Sequence, residues 1–498
     1  MCPHLERLAD LLCCDWEFLP TVYLGLPLGA SPVAGSIWNP LISRMQARLE
    51  GWKGKFLSFG GRLVLIKSVM ASQPTYMCSL FRAPAHIVQA IERLQSSFLW
   101  SGANDQKKFH LVSWERCKRP KSLGGLGIPD FRRHNSALLA KWWWKVASED
   151  SWWKRLMSVK YPNNESKWMP GKPLSPVGCS PWSQVFKMKD EFWKFAIVKP
   201  GSGDNISFWN DRWIHGTTLV DAFPRGAAAA VLPRARLSDI LLRVNESFSW
   251  DIEFKYQLRG GAERERESLF SFINSNLPLL SSDQDMISWL PTSSHSFTVR
   301  SLYQQLSKEA VACLLTAGQI DDFPVKTVWQ NHIPSKICMF VWLTFHRRIL
   351  TQDALKRKGW SLPNRCSLCI ANEEEPNHLF LHCRFTEEVW SIISHFVYFD
   401  HRIIRRDISD LIKSWPLLDP QNPKDWCTRS FLHALLWCVW IERNNRIFAE
   451  KFSSPSVVSF KIGSLIASWL VAAGKIDKSC GEDWIHNLRR ALLPRSFL

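Results

Sequence analysis

Apolar residues recur at three- and four-residue steps through Ile42, Met45, Leu49, Trp52 and Phe56, with Arg44, Arg48, Lys53 and Lys55 between them. That spacing predicts an amphipathic helix with a basic face. A second helix is expected to begin after the glycine pair Gly60 and Gly61 and to end at Pro74. A third runs from Ala83 to Trp100, with Ile87, Ile91, Leu94 and Phe98 on one stripe, and Phe131 opens a fourth that carries LLAKWWWKV. The texture then changes to Pro, Ser and Gly with short alternating runs. Residues 199–216, KPGSGDNISFWNDRWIHG, read as a hairpin around a Gly-Asp-Asn turn. Residues 222–239 read as an irregular connector, and SFTVRSLYQQL, 296–306, as a strand-like run leading into a helix. From Asn331 to Gly359 the pattern is that of paired helices, with Ile337, Phe340, Val341 and Phe345 as the apolar stripe and Pro334 suited to a first turn. The most apolar stretch, LHALLWCVWI at 432–441, stops at Glu442 and Arg443 and reads as a buried helix. No run is expected to reach the roughly 18 apolar residues of a membrane span. The fold class expected is mainly α and multi-domain, with small β-hairpin elements and a compact helical module around residues 366–383.

Composition adds a partner class. At 498 residues the chain is long for one core, so two to four domains are expected, and 46% hydrophobic content suffices to fill them. A formal charge of +18 spread over a folded chain points to a polyanion, RNA or DNA. Twenty-seven tryptophans exceed an average composition several-fold; core packing accounts for most, and stacking platforms are the alternative for the rest. Glu6, Asp10, Asp15 and Glu17 interrupt the N-terminal region where a signal peptide needs an apolar core, so a nuclear or cytoplasmic location is expected, not secretion, and no membrane partner. The 14 cysteines then read as free thiols or metal ligands.

Charge concentrates between residues 101 and 160, where 13 Lys and Arg face 5 Asp and Glu among interleaved aromatics. Lys118, Arg119, Lys121, Arg132, Arg133, Lys141 and Lys145, joined by Arg347 and Arg348 further on, are the candidate nucleic-acid-binding residues. A solvated basic helix over a Trp-rich core explains the same pattern. Gly124, Gly125 and Gly127 mark a turn; no Gly-Lys-Ser or Gly-Lys-Thr opens a helix there as a phosphate loop would.

The candidate metal site is C-x2-C-x8-H-x4-C: Cys366, Cys369, His378 and Cys383. Two thiolates two residues apart can face one ion, with a His and a Cys completing a tetrahedron. Four protein ligands leave no position for water, so zinc would be structural. His382, next to Cys383, is the alternative to His378. Glu373, Glu374 and Glu375 read as a solvated loop between the two arms.

The succession YLGLPLG, WKGKFLSFGGRLVLIKSVM, WERCKRPKSLGGLGIPDFRRHNSALLAKWWW, GDNISFWNDRW, SFTVRSLYQQL, the Cys/His segment and WIERNNRIF resembles the region after the polymerase core in plant LINE-type non-LTR retrotransposon polyproteins. The resemblance implies a reverse transcriptase zinc-binding domain, and its HLFLHC pattern implies His378 as the ligand. It divides the chain into a thumb-like helical remnant (1–100), a basic Trp-rich linker domain (101–320), the zinc-binding domain (321–410) and a C-terminal helical segment (411–498). Polymerase aspartates are not expected, since the one Asp-Asp pair, Asp321 and Asp322, lies far downstream of a palm. Neither an endonuclease nor a ribonuclease H domain is expected, the tail after Glu450 being short for the latter. The function implied is non-catalytic binding of RNA or a primer-template, with a polymerase-bearing element product as a partner in trans. The alternative is a degenerate fragment acting as a protein-interaction scaffold.

Overall fold

The computed structural model describes residues 5–31, 34–53, 57–101, 110–162, 166–171, 181–214, 217–244, 247–257, 259–278, 280–316, 322–394, 407–416 and 423–492. These are mostly helical, with three two-stranded antiparallel sheets. The chain forms two compact units, each assembled from separated stretches: Met1–Ala47, Val69–Arg93 and Asp130–Gly318 in the first, Arg48–Ser68, Leu94–Pro129 and Gln319–Leu498 in the second.

The predicted helices form, with edited ends. The first spans Asn39–Lys53 and buries Leu41, Met45 and Leu49; Phe56 lies outside the described residues. The second is capped by the Ser58 hydroxyl, which accepts from the Gly61 N–H at 3.2 Å. It runs as an α-helix over Phe59–Leu65, widens to a π turn over Ile66–Met70 and stops four residues before Pro74. Residues 222–239, expected as a connector, hold short helices at Pro224–Ala229 and Leu237–Ile240.

In the first unit the helix Phe131–Ser148 is the centre of an aromatic core. Asp130 caps it, accepting from the Arg133 N–H at 3.0 Å. The three consecutive tryptophans point three ways, as 100° per residue requires. Trp143 is fully buried, donates its Nε1–H to the Val185 carbonyl at 2.8 Å and lies 4.8 Å from the Trp182 ring. Trp142 donates to the Ser79 carbonyl at 2.7 Å, and Trp144 stacks on Phe297. Most of the tryptophan excess is therefore core, with the ring N–H groups acting as directional pins.

Among the described residues of 199–216, the expected hairpin does not form. Strand Ala196–Lys199 instead pairs antiparallel with Met286–Trp289, which also replaces the strand cue at 296. Asp285, buried at the head of that distant strand, supplies the physical reason. Its carboxylate accepts from the N–H groups of Gly201 and Gly203 at 2.8 Å each and of Asn205 at 2.9 Å, so the Gly-Ser-Gly-Asp-Asn loop satisfies its backbone there and not across a local ladder. A side chain on Gly201 would meet the Asp283 carbonyl at 2.4 Å. True hairpins occur at Thr21–Tyr23 with Leu26–Leu28 and at Leu241–Val244 with Ser247–Trp250. In the first, Leu24 and Gly25 both take positive φ, the signature of a type I′ turn.

In the second unit the expected turn at Gly124 is present. Gly127 N–H returns to the Arg119 carbonyl at 2.9 Å, and a Cβ on Gly125 would overlap that carbonyl. The buried Trp342 of helix Ser335–Phe345 donates to the Gly124 carbonyl at 2.7 Å, fixing the turn to the helix. The chain continues into helices Pro423–Phe448, Pro455–Ala472 and Lys478–Leu492. The expectation that no helix is long and apolar enough to cross a membrane is corrected here: Pro455–Ala472 meets that measure by length and composition. Its Val458, Ile462, Ile466 and Leu470 are buried at an i, i+4 spacing, the pattern of a core helix.

Replacing Asp285 by Ala is expected to lower stability by about 3 kcal/mol, because three enclosed N–H groups lose a charged acceptor. Glu253→Ala, at an exposed position, is expected to change little. Urea unfolding followed by tryptophan fluorescence checks both, and equal effects would remove the role given to Asp285.

Candidate metal centre

The four predicted ligands converge. The sulfurs of Cys366, Cys369 and Cys383 and a ring nitrogen of His378 lie within 4.8 Å of one another. The Cys366 and Cys383 sulfurs are 3.9 Å apart, and the Cys369 sulfur is 3.3 Å from His378 Nε2. Ligands about 2.0 to 2.3 Å from a tetrahedral zinc stand roughly 3.3 to 3.8 Å from each other, so the cage is close to the size that ion needs. His382 is exposed and outside the cluster, which leaves His378 as the nitrogen ligand.

Local backbone geometry brings the ligands together. Between Cys366 and Cys369 the chain makes a tight knuckle: Ile370 N–H returns to the Cys366 carbonyl at 2.9 Å with Ile370 in the left-handed region, and Cys366 N–H donates to the Asn372 carbonyl at 2.7 Å. The second arm is a wide helical turn, His378–His382, followed by helix Arg384–Ser394. Cys383 sits at the start of that helix, its carbonyl accepting from Glu387 N–H at 2.8 Å. Hydrogen bonding from Cys366, with help from the helix-start N–H groups of Thr386 and Phe385, lowers the Cys383 thiol, while sharing that proton and burial push Cys366 up to about 12. Three thiols packed this closely cannot all ionise without a cation among them, which is the chemistry of a zinc thiolate cage.

The expected solvated loop between the arms is wrong at its central residue. Glu374 is fully buried, while Glu373 and Glu375 stay exposed. Its carboxylate meets the guanidinium of Arg443 through Nε at 3.1 Å and Nη2 at 2.5 Å, and accepts from the Gln352 N–H at 3.0 Å. One turn along helix Pro423–Phe448, Arg446 pairs with Glu442 at 3.0 Å and donates to the Leu368 carbonyl, inside the knuckle, at 2.8 Å. Its guanidinium also lies 4.4 Å from the centre of the Phe385 ring. The charged residues of WIERNNRIF thus hold both arms of the cage. The one signal for this in the sequence is the charge of Glu442, Arg443 and Arg446 directly after the apolar stretch 432–441.

The nine cations proposed for nucleic acid divide between the units. In the first, Arg132 is exposed at the start of helix Phe131–Ser148, Arg133 is 3.8 Å from Asp130, and Lys141 and Lys145 both lie over the Trp142 ring. Burial, then the nearby Lys145 charge, lowers the pKa of Lys141. In the second, the largely buried Lys118 side chain pairs with the exposed Glu115 at 2.7 Å, Arg119 is half-buried and Lys121 sits 4.7 Å over Trp329. Arg347 and Arg348 are exposed just past helix Ser335–Phe345, Arg347 pairing with Asp407.

Two outcomes test the centre. The purified chain is expected to carry one equivalent of zinc by elemental analysis and to lose it in Cys366→Ser and Cys383→Ser; less than half an equivalent in the wild type would sink the site. Glu374→Ala is expected to destabilise by about 3 to 5 kcal/mol by stranding Arg443, with Glu374→Met/Arg443→Met recovering part of the loss in a denaturation cycle. A double variant as unstable as the sum of the singles would argue against the pair.

Residues 297–390 match the family described as zinc-binding in reverse transcriptase. A protein of Arabidopsis thaliana named "Putative ribonuclease H protein" is 26% identical over 448 residues, which are 87% of this chain and 68% of that one. An uncharacterised mitochondrial protein of the same plant is 27% identical over 150 residues, 29% of this chain and 94% of its own length. The first relative overturns the expectation that ribonuclease H has no place here and with it the classing of the chain as a non-enzyme. These similarities support a retrotransposon-related protein, with a segment similar to the zinc-binding one of reverse transcriptase.

Proposed function

We propose that this protein is a nucleic-acid-binding product of a LINE-type plant retroelement, in which a structural zinc shapes the fold and basic faces hold RNA or a primer-template. The observation that carries this reading is the closed Cys366, Cys369, His378, Cys383 cage inside a segment matching zinc-binding in reverse transcriptase, on a chain of charge +18. A saturated zinc positions backbone and does no chemistry itself. The excess of cations supplies non-specific attraction to phosphates, and the exposed members of the set are Lys121, Arg132, Arg347 and Arg348, of which Lys121 also lies over Trp329 and Arg347 also pairs with Asp407. A polymerase-bearing element product is the partner that such a protein would serve in trans.

A second reading comes from the relative named for ribonuclease H: an RNA strand paired with DNA as the substrate. Magnesium-dependent release of label from the RNA of such a hybrid would favour it over binding alone.

Binding to single-stranded RNA, single-stranded DNA and the hybrid, measured by fluorescence anisotropy across a salt series, checks the proposal. Affinity is expected to fall steeply with salt, with a log–log slope of about −0.7 per phosphate contacted. Lys121→Gln, Arg132→Gln, Arg347→Gln and Arg348→Gln together are expected to weaken binding and flatten the slope. No binding to any of the three at low salt would leave the protein-interaction scaffold as the better account.

A further inference from the structure

We propose that a cavity of about 330 Å³ in the first unit, rimmed by Arg82, Arg132 and Lys187 over the buried amide of Gln184, is a phosphate-binding site. The source of the phosphate, a nucleic-acid backbone, rests on the function proposed above; the site itself does not.

Three separate segments deliver the three cations. Arg82 lies in the loop before helix Ala85–Ser101, Arg132 stands in the first turn of helix Phe131–Ser148, and Lys187 directly follows helix Pro181–Phe186. Asn135 locks the first two segments together. Its amide donates to the carbonyls of Cys78 and Phe81 at 2.7 and 2.9 Å, and its oxygen accepts from the Ala83 N–H at 2.9 Å. Arg132, Asn135 and Ser136 share one helix face by their spacing and all line the cavity. The backbone that carries the exposed Arg82 and Arg132 is therefore set by a buried side chain with three hydrogen bonds, and the exposed Lys187 joins them from the third segment.

The charge balance selects an anion. No carboxylate lines the cavity, and none among the described residues reaches ion-pair distance of these three cations; Arg82 does exert a longer-range pull on Glu191, whose carboxyl burial raises. Ala85 at the rim begins a 17-residue helix with no acidic residue in its first turn, so the positive end of the helix dipole adds to the field. By contrast, the similar-sized cavity rimmed by Lys189 and Arg212 also holds Asp190 and Asp221, which offset the cations. The two arginines offer flat forks matched to phosphate oxygens, and Lys187 adds a point charge. Pro84 and Val88 form an apolar wall, and the volume is at the small end of ligand pockets, suited to a phosphate with its sugar.

The test uses the full chain, a variant with Arg82→Gln, Arg132→Gln and Lys187→Gln, and a control with the exposed Arg259→Gln, Arg264→Gln and Arg266→Gln that removes the same charge. Broadening of the inorganic phosphate signal in phosphorus NMR reports the site, and anisotropy of a labelled single-stranded thymidine oligonucleotide across salt reports the backbone. The wild type and the control are expected to broaden the phosphate signal and the cavity variant to lose the effect. Where the backbone is the source, the oligonucleotide salt slope also falls by about 1 to 2 in the cavity variant alone. Phosphate broadening lost with no oligonucleotide binding in the wild type keeps the site and removes the nucleic-acid reading. Equal broadening in wild type and cavity variant, equal loss in the control, or no broadening by the wild type overturns the site, even if the oligonucleotide still binds.

Discussion

A carboxylate taken wholly out of water has to meet a counter-charge or stay protonated, and in the second unit that requirement organises everything around it. Glu374 lies between the two arms of the metal cage and finds its partner in Arg443, sixty-nine residues on. Meeting it brings helix Pro423–Phe448 against the cage, and one turn later Arg446 reaches the carbonyls of the knuckle itself. The zinc cage can fix its four ligands, but it has no means of orienting a distant helix. The ion pair and the knuckle contact supply that orientation, and Phe340 packing against Trp437 and Trp440 fills the space left between them. Such pairs add little net stability over apolar residues of the same shape, but they punish any other arrangement, because each misfit strands a buried charge.

The first unit solves a parallel problem with neutral groups. In its core the ring N–H donors of Trp142, Trp143, Trp168 and Trp289 each find an oxygen acceptor, while those of Trp153, Trp193 and Trp209 are buried without one among the described residues. The bond directions fix which way each ring faces, so the helix Phe131–Ser148 has one rotational setting. Arg132 then lies on the rim of the phosphate cavity while Trp143 points to the core. Asp285 does for the Gly201–Asn205 loop what Glu374 does for the cage, with three backbone N–H groups in place of a guanidinium.

What the sequence made legible follows from range. Apolar spacing located helices Asn39–Lys53, Ala85–Ser101 and Phe131–Ser148 because their stripes repeat within a few residues. The ligand spacing located the cage for the same reason: a knuckle and a helix start are local shapes. The pairing of Ala196–Lys199 with Met286–Trp289 was hidden, since an alternating run carries no mark of its partner, and the nearest turn invited a hairpin that Asp285 pre-empts. Glu374 was hidden because an acidic triplet looks solvated unless its counter-charge is known. Nor does periodicity show that each compact unit is gathered from separated stretches.

The division of labour between metal and charge bears on how such a protein would hold a polyanion. Counter-ion release rewards cations that are free to meet phosphate, and a cation already committed to a carboxylate or a ring has part of that attraction spent. Lys118 beside Glu115, Arg347 beside Asp407 and Lys121 over Trp329 are of the committed kind. The cavity at Arg82, Arg132 and Lys187 holds its cations apart from any carboxylate in its wall and aims them at one space. Net charge alone would draw nucleic acid to any basic face, but only a fixed group of forks and a helix start sets a register for one phosphate. In this chain that fixity comes from Asn135, a neutral residue with no charge of its own to offer.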